Sequence, residues 1–434
     1  MVSLRDIALV ILGISFMTFI TFFGRLPIFR NTPISYLHRL IWIHLPNFLT
    51  SIDQRLTSGR ITSNTSRAYN FIMYDRHPTV LIFFFLLLSV SEYFYLPAAW
   101  PHFTLVHQIF GPIAIVLPYL FLYLACFTDP GTITPSTHVY FMAQYPYDYT
   151  LFHPAIYCST CRLLKPARSK HCSICKRCVS KLDHHCVFIN SCVGSQNHHY
   201  FLLLLLTTGI LTLYGGCLGL GLVSASVRTR YPLWSVWPFS SSNSSQSWSQ
   251  YFISWQYGLQ FSVGMGAVTM LALLTSPLVW GLLTYHIWLV YCGTTTNESM
   301  KWADYQLDMD DGLVFKRKMN PNRPKNPRIE PVWTRWPVEP EQVLVRTEDG
   351  KPPRGENLPG VGEWEPVWKL RDVENLYDLG FWDNLLDVLW PGYDFRQGDD
   401  EMPVSETRGR SKRRSRRSRK AKTSGAGASI ASTL

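Results

Sequence analysis

The sequence predicts a mainly α polytopic membrane protein with about five transmembrane helices and a cytosolic cysteine-rich domain between them. Three observations predict it. Apolar residues make up 47% of the 434 residues and fall in long blocks. Five of those blocks reach the roughly 18 residues that mark a transmembrane candidate. Seven of the ten cysteines lie between Cys158 and Cys192, in a polar stretch with membrane-length blocks on both sides. The formal charge of +11 is local, because residues 408–422 carry ten Lys or Arg and no acid. The folded part is therefore close to neutral, and no nucleic-acid partner is expected for it.

Residues 1–24 read as an N-terminal transmembrane anchor, its apolar run at 7–24. A cleaved signal peptide is the competing reading, but no small-residue cleavage site follows and the run ends in GRLPIFR. Residues 25–77 carry seven arginines against Asp53 and Asp75, an excess that places this loop in the cytosol. Its apolar piece at 35–52 is either an interfacial segment or a short packed helix. Residues 78–128 hold a hairpin of two spans, 79–96 and 105–128, separated by a short turn. Glu92 lies inside the first of them and is expected to face the bundle or the far interface, as polar glue between helices.

Asp129-Pro130-Gly131 stops the second span. The cysteine-rich domain occupies 129–198. A further pair of spans, 200–223 and 262–291, fills residues 199–292 around a loop at 224–260, lumenal by the same count of crossings. That loop holds Asn243-Ser244-Ser245, a candidate glycosylation sequon. Residues 293–407 are expected to form a cytosolic C-terminal region, with a helical pattern at 373–390 whose Trp382 and Trp390 suit docking against the membrane face or the cysteine block. The basic tail, 408–434, is expected to be disordered. A nuclear-type signal and a contact for anionic headgroups are the other readings.

In a reducing cytosol, clustered thiols at C-x2-C spacing favour zinc over disulfides. The spacing runs Cys158-x2-Cys161, His171, Cys172-x2-Cys175-x2-Cys178, His184-His185-Cys186, then Cys192. Two closed zinc sites take eight ligands, which accounts for six cysteines and two histidines and leaves one thiol and one imidazole over. A thiol beside an imidazole beside a carboxylate, as in Asp183-His184-His185-Cys186, has the parts of an activated nucleophile. The plainer reading is that all of them are ligands of a membrane-anchored zinc adaptor or ubiquitin-ligase-like module without acyl transfer.

KPxRxxHC at Lys165–Cys172, CxxC, DHHC and NxCVGxxN at Asn190–Asn197 resemble the signature of the DHHC protein S-acyltransferases, the palmitoyltransferases. Asp129-Pro130-Gly131, Thr295-Thr296-Asn297-Glu298 and Tyr377-Asp378-Leu379-Gly380 with Asn384 match the family's flanking motifs. The resemblance covers about residues 79–390. With the extra first span and the basic tail, the chain is most similar to the fungal endoplasmic-reticulum members that acylate SNARE proteins.

The resemblance implies one zinc on Cys158, Cys161, His171 and Cys178 and a second on Cys172, Cys175, His185 and Cys192, with Asp183, His184 and Cys186 as the catalytic set. It implies a ping-pong transfer of a long-chain acyl group, such as palmitoyl, from acyl-CoA through Cys186 to juxtamembrane cysteines of membrane proteins. Lys165, Arg168 and Lys181 are candidate contacts for the CoA phosphates. Val187-Phe188 stands where the family has Pro-Trp, which leaves acyl preference open. Cys126, Cys217 and Cys292 read as packing residues, and His198 and His199 as interfacial ones.

Overall fold

A computed structural model describes residues 32–74, 77–240, 243, 246–354 and 358–396, together with Met17 and Ile20. The expected first span at 7–24 and the basic tail lie outside the described residues. Two units are resolved, Met1–His77 and Pro78–Leu434.

In the first unit, residues expected to form a loop are helical. Helix α1 (Pro33–Arg39) passes through a π-turn at Leu40–His44 into α2 (Leu45–Thr57). The cause is Pro46, which has no N–H to give and would clash with the carbonyl one turn back; widening the turn relieves both. Ser58 and Gly59 take positive φ, 58° and 81°, and reverse the chain into α3 (Arg60–Tyr74). Asp53 ties the reversal by accepting from the N–H of Thr62 at 2.7 Å.

The second unit is built on four helices long and apolar enough to cross a membrane. These are α4 (Thr79–Ala99, with a 3-10 turn to His102), α5 (Leu105–Phe127), α7 (His198–Arg230) and α9 (Val263–Tyr291). The protein is multi-pass, and large side chains such as Phe83, Tyr123, Leu274 and Leu278 stay exposed along the spans, as lipid-facing residues must. Glu92 accepts a hydrogen bond from the Tyr119 hydroxyl at 3.0 Å, across the hairpin. Pro112 and Pro118 sit inside α5 without ending it.

Helix α7 runs seven residues past the expected end of its span. The polar SASVRTR segment contains no helix breaker, and 33 residues at about 1.5 Å each exceed the hydrocarbon thickness. The expected loop after it holds a second helix, α8 (Trp248–Phe261), begun by a capping box of Ser247 and Gln250. Asn243 is buried there, its amide donating to the carbonyls of Ser235 and Trp237 at 2.8 and 2.9 Å. The sequon's nitrogen takes part in the loop's own hydrogen bonding.

The cysteine block joins α5 to α7. A short helix α6 (His138–Met142) leads into two small antiparallel hairpins. These are β1 (Lys170–Cys172) with β2 (Arg177–Val179), and β3 (His184–Cys186) with β4 (Ser191–Val193). Gly194 lets the block approach the end of α5, since a Cβ there would lie 2.3 Å from the Pro130 carbonyl oxygen.

After α9 come α10 (Thr296–Asp310), a three-stranded sheet of β5 (Val314–Lys318) between β6 (Gln342–Arg346) and β7 (Val361–Pro366), and α11 (Phe381–Leu389). Of the helix expected over 373–390, only the nine residues Phe381–Leu389 are helical. Trp382 and Trp390 are 76% and 67% exposed, and the face that packs inward carries Asn384, Asp387 and Val388. The docking surface on the block is the opposite face from the one the tryptophans marked.

Candidate active site and metal centres

Strand geometry sorts the adjacent ligand-type residues. Successive side chains on a strand point to opposite faces, so His171 and Cys172 on β1 diverge, and so do His184 and His185 on β3. His171 faces Cys178 in register across the first hairpin, and His185 faces Cys192 across the second. The outcome is two separate groups: Cys158, Cys161, His171 and Cys178, and Cys172, Cys175, His185 and Cys192.

Around His171 Nδ1 the three sulfurs lie at 3.5, 3.4 and 3.7 Å. Around His185 Nδ1 they lie at 3.8, 3.4 and 3.7 Å. A tetrahedron with Zn–S of about 2.3 Å and Zn–N of about 2.0 Å has S–N edges of about 3.6 Å, so both groups have the donors and the spacing to hold zinc. Each is a closed four-ligand set with no position left for a reacting molecule.

His184 and Cys186, two apart on β3, share the other face. Asp183 Oδ2 lies 2.6 Å from His184 Nδ1, which leaves Nε2 for the Cys186 thiol, to which the ring is hydrogen-bonded. Burial by itself would raise the Cys186 pKa. The His184 hydrogen bond and charge, with the N–H groups of Ile189 and Phe188, outweigh it and hold the thiol below its ordinary value. Burial works the other way on His184, but Asp183 and Cys186 raise it to about 9. The arrangement therefore favours a thiolate beside an imidazolium. Cys186 also packs with Leu122, Phe201, Leu283 and Val290, so its sulfur lies at the edge of the apolar core formed by the spans.

Thr296, at the start of α10, holds Asp183 from the far end of the chain. Its N–H donates to Oδ1 at 2.7 Å and its hydroxyl to Oδ2 at 2.9 Å. Thr295 caps α10 in a capping box with Glu298, and the same Glu298 takes Arg168 in a bidentate pair at 2.7 and 2.6 Å. Arg168 is 2% exposed, with its guanidinium over the Tyr377 ring at 4.5 Å.

Lys181 is equally buried, and donates to Asp387 of α11 at 2.6 Å. Arg335 and Tyr145 bind the same carboxylate. Both cations are thus spent inside the fold, which corrects their reading as contacts for CoA phosphates. Of the three basic candidates only Lys165 remains half-exposed.

Two residues at the site carried no sequence signal for it. His286 of α9 lies beside His184, its ring tilted by 32° with centroids 5.7 Å apart, and its Nδ1 lies 4.0 Å from Asp183 Oδ2. His198, expected at an interface, is 3% exposed, and the Asp183 carboxyl near it is held below the usual range, against the opposing effect of burial, by the hydrogen bond and charge of His184. Cys126 packs at the edge of the Cys186 cluster and Cys217 is exposed, both away from the two ligand groups. The carbonyl of Cys292 accepts from Asn375. Phe188 meets Phe84 of α4 edge-on at 5.9 Å, so it keeps an aromatic contact with the spans.

Residues 151–303 match the family model described as DHHC palmitoyltransferase. Palmitoyltransferase SWF1 of Neurospora crassa is 60% identical over 428 residues, covering 95% of this chain and 99% of that protein. Palmitoyltransferase swf1 of Emericella nidulans is 43% identical, over 89% of this chain and 97% of that one. Palmitoyltransferase swf1 of Schizosaccharomyces pombe is 31% identical, over 87% and 94%. With those relatives matched along nearly their whole length, and with an acid, an imidazole and a thiol left outside two closed zinc-type ligand sets, the chain belongs to the DHHC palmitoyltransferase family and is a protein S-palmitoyltransferase.

Proposed function

We propose that Cys186 is the nucleophile of a two-step transfer from long-chain acyl-CoA, with His184 its base and Asp183 the residue that holds the ring. The observation that carries this reading is the hydrogen-bonded line Asp183–His184–Cys186, with His184 and Cys186 on one face of β3. The Cys186 thiolate attacks the thioester carbonyl, and the CoA sulfur leaves with the proton held on His184. A cysteine of a membrane protein then gives its proton to His184 and attacks the acyl-Cys186 thioester, releasing the Cys186 thiolate. Thioester is exchanged for thioester, so the energy changes little and positioning is the main demand.

A sixteen-carbon chain at about 0.8 kcal/mol per buried CH₂ belongs among the spans, where the cluster around Cys186 begins. Zinc at the two Cys₃His groups would hold the hairpins and so the β3 face. Lys165 is the remaining basic candidate for the CoA phosphates. The cysteine block and the C-terminal region are assigned to the cytosol by the excess of arginines before α4. The domain division at 24, 77, 128, 198, 292 and 407 follows the apolar blocks and charge pattern of the sequence, and the resemblance of the motifs supports an endoplasmic-reticulum location and SNARE substrates.

Purified protein given labelled palmitoyl-CoA should acquire a hydroxylamine-labile label. Cys186→Ser should abolish it while two zinc ions per chain are retained. An intact, zinc-loaded protein that takes no label refutes the reading in favour of a zinc adaptor.

A further inference from the structure

We propose that Asp183, His184 and His286 form a third divalent-cation site, separate from the two Cys₃His groups, whose occupation stops acyl transfer. The three side chains each offer one ligand atom, all within 4.8 Å of one another. The set is two imidazoles and a carboxylate, donors suited to zinc, cobalt or nickel. It rests on the assignment of His184 as base.

The argument starts from unspent hydrogen-bonding capacity. His286 is 3% exposed, and its Nδ1 has no partner, although a buried unsatisfied nitrogen is costly. It faces Asp183 Oδ2 at 4.0 Å, beyond hydrogen-bond reach. A carboxylate offers about four acceptor positions, and Thr296 and His184 take three on Asp183, so one stays uncommitted. A cation bound at about 2.0–2.2 Å from each atom spans the distance, and His184 Nδ1 lies on the same carboxylate oxygen. His198, also buried with both nitrogens unpartnered, lies beside His286 with ring centroids 6.3 Å apart, so the cavity wall is imidazole on two sides.

The chemical consequence follows from the tautomer. A cation on His184 Nδ1 displaces the proton there to solvent. The remaining ring proton is then on Nε2, and a metal-bound ring gives that proton up far less readily than an imidazolium does, so His184 no longer supplies the proton with which the CoA sulfur leaves. The charge state changes by one proton and no electron is moved. The two thiolate-rich groups would stay loaded with zinc, because their soft, fully closed donor sets compete well against a two-imidazole, one-carboxylate site.

The probe is Co²⁺, added to the full-length, zinc-loaded protein in detergent. The expected result is one Co²⁺ bound beyond the two zinc ions, with weak visible bands and no thiolate-to-cobalt charge transfer, and loss of Cys186 acylation as that ion binds. His286→Ala and His286→Asn should each lose the third ion and need roughly tenfold or more Co²⁺ for the same fractional inhibition, relative to each variant's own metal-free rate.

Retention of two zinc ions reports that a variant has folded. Two ions only at saturation overturns the site, as a bridging water in its place would require. So does equal inhibition of wild type and both variants. The absorption readout needs no turnover, so the two assignments are told apart. A third ion on a protein that never acylates contradicts the function, and two ions beside an intact acyl-enzyme contradict the site.

Discussion

Asp183 shows how much of this active site depends on a residue that does no bond-making. Its carboxylate is held by one hydroxyl and one N–H from Thr296 and in turn holds His184. Replacing Thr296 by Val keeps the shape and the backbone bond and removes the hydroxyl. A hydrogen bond to a charged group contributes about 1.5–3 kcal/mol, so Cys186 acylation should fall by roughly one to two orders of magnitude with zinc content unchanged. A label assay and metal analysis on the same sample check it. The DHHC run, the cysteine spacing and the leftover thiol and imidazole were all legible in the sequence, because ligand number and strand alternation are local rules. Arg168 and Lys181 were not. Both look like surface cations, yet their carboxylates come from 130 and 206 residues away, a distance that no local pattern carries.

At the scale of elements, the spans were legible because unbroken apolar length needs no partner to be recognised. The hairpins were not, since three-residue strands are too short to show a period and are held by cross-strand ligand pairs. Helix α11 was half legible. Its tryptophans suggested the packing face, but the element is docked by a buried carboxylate. Burial alone would raise the Asp387 pKa, while Lys181, Arg335 and Arg168 outweigh that and hold it well below the usual range.

A carboxyl depressed in the fold contributes stability in full above its unfolded value, and the contribution fades as pH falls through the folded one. The thermal stability of the solubilised protein should therefore fall on acidification. Asp387→Asn should be less stable at neutral pH, by about 3–5 kcal/mol, because buried Lys181 and Arg335 lose their counter-charge while Arg168 keeps Glu298. Its stability should also lack most of that acid slope. A variant as stable as wild type at neutral pH would show that the carboxylate does not hold the helix.

For the whole molecule, the two zinc-type groups are interleaved along the chain rather than stacked in sequence. His171 and Cys172 are neighbours that serve different groups, and each hairpin is closed by its own ligand pair. Loss of one group should therefore unseat the other. Cys158→Ala should lower bound zinc from two per chain toward none rather than to one, with acylation lost, as metal analysis beside the label assay would show. A stable one-zinc protein would show that the two groups fold independently.

The contact between Thr296 and Asp183 joins residues 113 positions apart, with two membrane spans between them. Biosynthesis meets these residues in a fixed order. Asp183, His184, Cys186 and both zinc-type groups leave the ribosome long before Thr296. A nascent chain that has not yet seated its final span therefore lacks both hydrogen bonds by which Thr296 holds Asp183.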